Sequence, residues 1–441
     1  MKEILRLQAA IFLLASHLFA PCFCSHKSYK HFDARNNFGS PDNFERQLNR
    51  SVTHIFKERE SGLSSHHEIT LMERAPAAEL HEVIFVIHQK NMEELKRILY
   101  EVSDPTHLNY GNHMNSQDVA ELTKNDNSQE KVIAHLKVIG AMVVSQTLNG
   151  ECITARASII VWEEMLNTEF YKYSHQPKSD ENGKPTVFTR AQEYSVPDHL
   201  DEHVASVLNT IQLPAINTKG KSTPNPLIHV PTFPLNNVVV HEGFVTPGRV
   251  NEAYRIESNI GHPRATQAVY ETSGQYYSAE DLISFQEHFE LPIQSVNESV
   301  GSVTHTAAAC KNNYHCVEGN LDVQYITAIA QTPTLFYYTD LVMTLFLVSL
   351  VNKRNPPLVI SFSYGISEFY ISKGEYELFN SQAIKLGVMG VTLLFATGDD
   401  GVANAAARNK PSACAYAPFF PASSPYVTSV GATQVQYDDG R

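Results

Sequence analysis

Hydrophobic and polar positions divide the chain into stretches of different rhythm. Residues 25–75 are polar, rich in His, Lys, Asn and Ser, and show little apolar periodicity, which predicts a flexible lead segment. From Glu79 the pattern changes. His81-Glu82-Val83-Ile84-Phe85-Val86-Ile87-His88 is an apolar, β-branched run and predicts a strand. Asn91 is placed to cap a helix through Leu95, Ile98 and Leu99, with Glu93 and Glu94 in its first turn. Asn115 or Ser116 caps a second helix whose apolar positions begin at Val119 and Leu122, and a third is predicted from Ser128 to Ile139. Residues 142–146 and 152–157 flank Leu148-Asn149-Gly150, where Asn-Gly supplies the positive φ values of a hairpin. A helix near residues 159–166 and two further strands complete an α+β unit.

From Leu213 the rhythm is lost. Pro214, Pro224, Pro226, Pro231 and Pro234 surround Lys219-Gly220-Lys221, so residues 213–240 read as a linker. Exposed linkers are where proteases cut, and a plain interdomain spacer has the same composition. Beyond it, apolar strands alternate with helices. Ala268-Val269-Tyr270 reads as a strand edge, and Ser278 followed by Asp281 opens a helix in capping-box fashion. The apolar run from Leu341 to Val351 is too short to cross a bilayer and reads as a core helix. Residues 356–363 and 390–395 read as buried strands on either side of a helix over 376–386. Apolar strands separated by helices imply a parallel sheet with both faces covered.

Composition removes some function classes. The formal net charge is −13, from 34 Lys+Arg and 47 Asp+Glu, which argues against a nucleic-acid partner. The 20 His add positive charge below about pH 6.5, as suits an acidic compartment. The N-terminus, a short charged start followed by the apolar run Ile11-Phe12-Leu13-Leu14-Ala15 and small residues near Cys24-Ser25, reads as a secretory signal over residues 1–24, with a signal anchor or buried helix as the alternative. No membrane partner is expected. Secretion permits disulfides. Cys310 and Cys316 bracket a short loop and form either a local bridge or two neighbouring thiols; Cys152 and Cys414 are the other cysteines beyond the signal. The Cys spacing gives no zinc pattern, and no metal-ligand set is assigned in this chain. Asn49 and Asn297 begin glycosylation sequons.

The candidate chemistry is acidic. Glu318 and Asp322 sit four apart in a predicted helix and so share one face, with Cβ atoms about 5–6 Å apart. Two charged carboxylates there repel, so the helix gains nothing from the pair; the plain alternative is a solvated acidic helix start. Downstream, Leu394-Phe395-Ala396-Thr397-Gly398-Asp399-Asp400-Gly401 ends an apolar strand in an acidic turn. With Ser361-Phe362-Ser363-Tyr364-Gly365 and the run from Phe420 to Ala432, these ordered motifs resemble the sedolisin family of serine-carboxyl peptidases over residues 79–441. The segment from Leu108 to Val119 resembles the loop and helix cap of that family's pro-kumamolisin-type activation propeptide.

The resemblance implies a subtilisin-like, doubly wound α/β domain over 241–441, incomplete here, preceded by a ferredoxin-like α+β propeptide over 76–212 that inhibits its own peptidase. It implies that Glu318 is the general base, that Asp322 orients it, and that Asp399 lies in the oxyanion hole. Ser363, Tyr364 and Gly365 would pair with an extended peptide substrate. The chain has Asp400 where the family usually has Ser. The family's nucleophile lies in a Gly-Thr-Ser motif, and no Gly-Thr-Ser occurs in these 441 residues; the implied calcium site is likewise expected beyond Arg441. The expectation is therefore the zymogen of an acid-acting peptidase, in lysosome, vacuole or extracellular space, that removes N-terminal tripeptides or cuts internally. As given, the chain is expected to be truncated before the serine motif and inactive. The alternative is a non-catalytic propeptide-like inhibitor or peptide-binding protein.

Overall fold

The computed structural model describes residues 52–60, 62–64, 66, 68–176, 185–214, 245–272, 275–301, 305–310, 316–339, 342–403 and 415–432. The expected signal segment, Asn49, Cys414 and nearly all of the linker lie outside the described residues. The N-terminal unit runs through β1 (His54–Arg59), β2 (Ile69–Arg74), β3 (Leu80–Ile87), α1 (Met92–Ser103), α2 (Ser116–Thr123), α3 (Asp126–Val138), β4 (Met142–Gln146), β5 (Cys152–Ser158), α4 (Ile159–Leu166), β6 (Phe170–His175), β7 (Thr186–Ala191), β8 (Glu193–Pro197), α5 (Asp198–Asp201) and β9 (Val204–Leu208). Its main sheet has the order β4-β5-β3-β9 and is antiparallel throughout.

The unbroken apolar run of β3 has a physical reason: both faces of this strand are covered. Val83, Phe85 and Ile87 pack with Val132, Leu136, Ile159 and Trp162 from the unit's own helices. Val86, with Cys152 and Leu208, packs against Val348 and Leu378 from the other half of the molecule. Asn115 rather than Ser116 caps α2, its side chain accepting from the N–H groups of Gln117 and Asp118 in a full capping box.

Several expectations are corrected. The stretch taken as a featureless lead contains β1 and β2, which pair antiparallel with β8 and β6. β1 is half-exposed and β2 is exposed at five of its six residues, with partners 97–143 residues away, so the sequence around them carries little apolar alternation. Asn91 stands at the start of α1 in a left-handed conformation and makes no side-chain cap; its amide donates instead to Leu122 O. In the β4–β5 connection only Gly150 has positive φ, +76°, so the turn is not the two-residue Asn-Gly type.

The second half comprises α6 (Pro247–Tyr254), β10 (Gln267–Glu271), α7 (Ala279–His288), β11 (Glu298–Val300), α8 (Val317–Ala330), β12 (Thr334–Tyr338), α9 (Met343–Val351), β13 (Val359–Phe362), β14 (Ile366–Ser367), α10 (Lys373–Val388), β15 (Thr392–Ala396), β16 (Phe419–Phe420) and β17 (Thr428–Val430). Six strands form one parallel sheet in the order β11-β12-β10-β13-β15-β17. The molecule is thus a mixed α/β protein with a parallel sheet. Strand β10, which contains Ala268-Val269-Tyr270, is an inner strand, and all five of its residues are buried. Alternation along it serves both layers: Val269 faces Val323, Ile326 and Leu282 of α8 and α7, whereas Ala268 and Tyr270 face the cluster of α9 and α10 that holds Phe346, Phe379 and Phe395.

The halves meet at α10. Leu95 of α1 and Val119 of α2 join the α9–α10 apolar cluster. Glu58 of β1 accepts from Gly374 N at 3.0 Å, in the first turn of α10. Lys385, farther along α10, donates to Glu151 at 2.9 Å and to Gln89 at 3.0 Å. Among the described residues no helix is long and apolar enough to cross a membrane.

Candidate active site

The carboxyl ends of neighbouring parallel strands converge on the first two turns of α8. Glu271 ends β10, Ser363 follows β13, and Asp399 follows β15. In open α/β sheets this end is where ligands are bound. Helix α8 presents Glu318 and Asp322 on one face, and both are buried, not solvated. The Ser363 hydroxyl donates to Asp322 Oδ2 at 2.7 Å. Tyr364, also buried, donates its hydroxyl to Glu271 Oε2 at 2.6 Å. Gly365 lies so close to Phe419 and Phe420 that a Cβ there would come within 2.2 Å of the Phe419 ring.

The structure brings Glu318 and Asp322, named from sequence as an acid pair, together with Ser363, named only as part of a substrate-binding strand end, and with Glu271, which the sequence reading did not name. Nothing in Gln267-Ala268-Val269-Tyr270-Glu271 marks the last residue as special beyond an acid ending an apolar strand. Its burial and its closeness to the helix pair are tertiary facts. It also missed what steadies the helix start. The N–H of Glu318 is taken by Gln275 Oε1 at 3.2 Å, while Asn320 accepts from Ser278 N at 2.8 Å and donates to Asp281 at 3.1 Å. Gly319 permits this approach, since a Cβ there would meet Tyr276 O at 2.2 Å. A bridge joins Cys310 to Cys316, the residue immediately before α8, with the Cα atoms 5.4 Å apart.

Burial of like charges sets the proton affinities. Burial, then the charge of Asp322, holds Glu318 well above the usual carboxylate range, and the charge of Asp399 adds to this. Burial pushes Asp322 up to about 6, against hydrogen bonds with Ser363 and Glu271 that pull it down. Glu271 is held well above its ordinary value by burial and by the charges of Asp322 and Glu318. Oε1 of Glu318 is buried without a hydrogen-bond partner among the described residues, which leaves an oxygen able to take a proton. Acids with displaced, interacting proton affinities beside a hydroxyl are the equipment of general acid–base chemistry.

Asp399 itself is exposed, in a turn where Gly398 has φ +82°. Asn297 is exposed immediately before β11, with its Oδ1 accepting from Thr334 N at 2.8 Å. Among the described residues no group of three or more His, Cys, Asp or Glu could hold a metal ion, and no residue here is assigned to the calcium that the resemblance implies.

The chain is similar in sequence to known proteins. Residues 68–213 match the family model described as the Pro-kumamolisin activation domain. The chain is 29% identical over 383 residues to Physarolisin of Physarum polycephalum, covering 82% of this chain and 61% of that protein. It is 28% identical over 383 residues to Tripeptidyl-peptidase 1 of Mus musculus, covering 81% and 62%. It spans about three fifths of the length of these relatives. Among solved structures, Pseudomonas sedolisin, a serine-carboxyl proteinase complexed with two molecules of pseudo-iodotyrostatin, aligns with a TM-score of 0.34 and 17% identity over 44% of this chain and 55% of that chain.

Proposed function

We propose that the chain, whose activation-domain match and relatives point to the sedolisin family, is the zymogen form of a serine-carboxyl peptidase working at acid pH. The parallel-sheet half is read as a subtilisin-like catalytic domain and the N-terminal unit as a ferredoxin-like propeptide, removed by a cut in the linker and inhibitory until then. Peptides and proteins of a lysosomal, vacuolar or extracellular space are the proposed substrates, cleaved as N-terminal tripeptides or internally. The observation that carries the reading is the buried cluster of Glu271, Glu318 and Asp322 around the Ser363 hydroxyl.

In this reading Glu318 accepts the proton of an attacking serine hydroxyl as its oxygen bonds to the scissile carbonyl carbon. A serine hydroxyl is a weak nucleophile and needs such a base. Burial raises the proton affinity of Glu318, which makes its ionised form a stronger base. Asp322 holds Glu318 in place and shares the proton, with Glu271 and Tyr364 behind it. Asp399, protonated, donates to the oxygen that becomes negative. The base later returns its proton to the leaving amine. Ser363, Tyr364 and Gly365 form the strand end along which the peptide is laid. The reaction needs a serine such as the family's Gly-Thr-Ser supplies; the 441 residues contain none, so they are expected not to hydrolyse peptides unaided.

The test is a pH–rate profile of protein carrying that serine segment, with a tripeptidyl and an internally quenched substrate. A bell centred well below neutral is expected, because Asp399 must hold a proton while the carboxylate group must still be able to accept one. Glu318→Gln is expected to lower kcat by about 10²- to 10⁴-fold. Activity rising to a plateau above neutral pH overturns the assignment.

A further inference from the structure

Helix α8 carries two of the three buried acids, yet its own residues do little to fix where it begins. Cys316, at its N-cap, makes no side-chain cap. The first N–H groups of a helix have no partner within it. Here the partner comes from another element. Residues 275–278, which lead into α7, lie against the first turn of α8, and three consecutive helix residues each meet them. Glu318 donates its N–H to Gln275 Oε1 at 3.2 Å, across 43 residues of sequence. Gly319 brings backbone against backbone, where a Cβ would lie 2.2 Å from Tyr276 O. Asn320 accepts from Ser278 N at 2.8 Å and donates its amide to Asp281 Oδ2 at 3.1 Å.

Asn320 stands out among the three because it joins two helix starts. Ser278 is the N-cap of α7, its hydroxyl accepting from Asp281 N at 3.0 Å, and Asp281 lies in the first turn of that helix. One carboxamide therefore grips α7 with both its oxygen and its amine. The segment it grips follows directly from the third acid. Glu271 ends β10, which is held in the sheet between β12 and β13.

The acids themselves give α8 a reason to need a tie. Asp322 faces Glu318 on its own helix, Glu271 from β10, and Ser363 and Tyr364 after β13, and Asp399 acts on Glu318. None of these is a cation, so whenever two of the acids are charged they repel and push α8 from β10. A carboxamide does not titrate, so its grip is the same whatever charge the acids carry. We infer that Asn320 is a positioning residue, which fastens the first turn of α8 to the start of α7 and so keeps Glu318 and Asp322 seated against Glu271. This role rests on the peptidase reading and deepens it, because a general base serves only in a fixed place.

The test reads proton affinity in the 441-residue chain and uses no catalysis, so it fails or succeeds separately from the peptidase reading. The carboxyl ¹³C signal of Asp322, a group raised to about 6 in the fold, is titrated and is identified by its loss in Asp322→Asn. Asn320→Ala deletes both side-chain bonds. It is expected to let the first turn of α8 move outward, admit water to the acids and lower the Asp322 midpoint by at least about one pH unit. Asp281→Ala, which removes one end of the tie, is expected to give at least half of that shift. Asp281→Asn keeps an oxygen for the Asn320 amide and is expected to stay close to the parent value. Tyr325→Phe cuts a bond from the same helix to Val245 O and is expected to leave the midpoint where it is. Folding of each variant is checked by thermal unfolding, and if Asn320→Ala does not fold, the two Asp281 variants decide. An unmoved midpoint in folded Asn320→Ala, or an equal shift in Asp281→Asn or Tyr325→Phe, overturns the assignment.

Discussion

Glu151 and Lys385 lie 2.9 Å apart with both side chains 0% exposed, one from the N-terminal unit and one from α10. Glu271, Glu318 and Asp322 are buried almost as completely, yet all three are acids. The two clusters meet the same cost, the removal of charge from water, in opposite ways. In the first, burial opposes the Glu151 charge, but the Lys385 ammonium outweighs it and keeps the carboxyl below its usual range. In the second no cation answers among the described residues, and burial raises the acids' affinity for protons instead. An ion pair of the first kind fixes how two halves of a molecule seat on each other. A cluster of the second kind stays poised between protonation states, which is what a proton-transferring site needs.

The largest effect that can break this comparison is removal of one partner from the ion pair. Lys385→Met leaves the buried Glu151 without its cation, and is expected to cost about 3–5 kcal/mol of unfolding free energy. The double variant Glu151→Leu with Lys385→Met is expected to recover most of that loss. Urea unfolding followed by Trp162 emission measures both, and a double variant as unstable as the single one would show that the pair acts through something other than mutual neutralisation.

The acid cluster should respond in the other direction. Asp322 is raised from 3.8 to about 6 in the fold. Such a group favours the native state fully below its unfolded value and loses that contribution as pH rises through its folded value. The parallel-sheet half is thus expected to weaken between about pH 4 and 6, and Asp322→Asn to flatten that slope and raise stability at neutral pH by up to about 2–3 kcal/mol. Thermal unfolding of both proteins across pH 4–8 tests the sign. A variant less stable than the parent at neutral pH would mean that Asp322 is held by attraction, not stored repulsion.

The smallest expected effect separates packing from hydrogen bonding within the cluster. Tyr364→Phe keeps the buried ring and deletes the donor to Glu271. A loss of about 1 kcal/mol is expected, and with the bond that lowers Glu271 gone, its carboxyl should hold its proton more firmly. Carboxyl ¹³C titration of Glu271 in the two proteins reads the shift directly. An unmoved titration would place Tyr364 outside the proton network.

Local pattern by itself determined a good deal. The apolar run of β3, the buried strands around β13 and β15, the cap of α2 and the helix carrying Glu318 and Asp322 are all stated by spacing, because a helix or strand fixes the direction of a side chain within a few residues. The shared face of Glu318 and Asp322 and the acidic turn at Asp399 were legible for the same reason. What spacing could not carry was anything set by through-space distance. Strand β1 is polar enough to pass for a flexible segment, and only its pairing with β8 about 140 residues later makes it a strand. Glu271 is an ordinary acid until the fold brings it to Tyr364 and Asp322, and Lys385 is an ordinary helix lysine until Glu151 is buried against it. Periodicity is local, whereas desolvation and Coulomb energy depend on which distant groups arrive together and how much water they exclude. The tertiary structure alone therefore decided that Glu271, Glu318 and Asp322 would be raised in proton affinity and that Glu151 would be held by a partner.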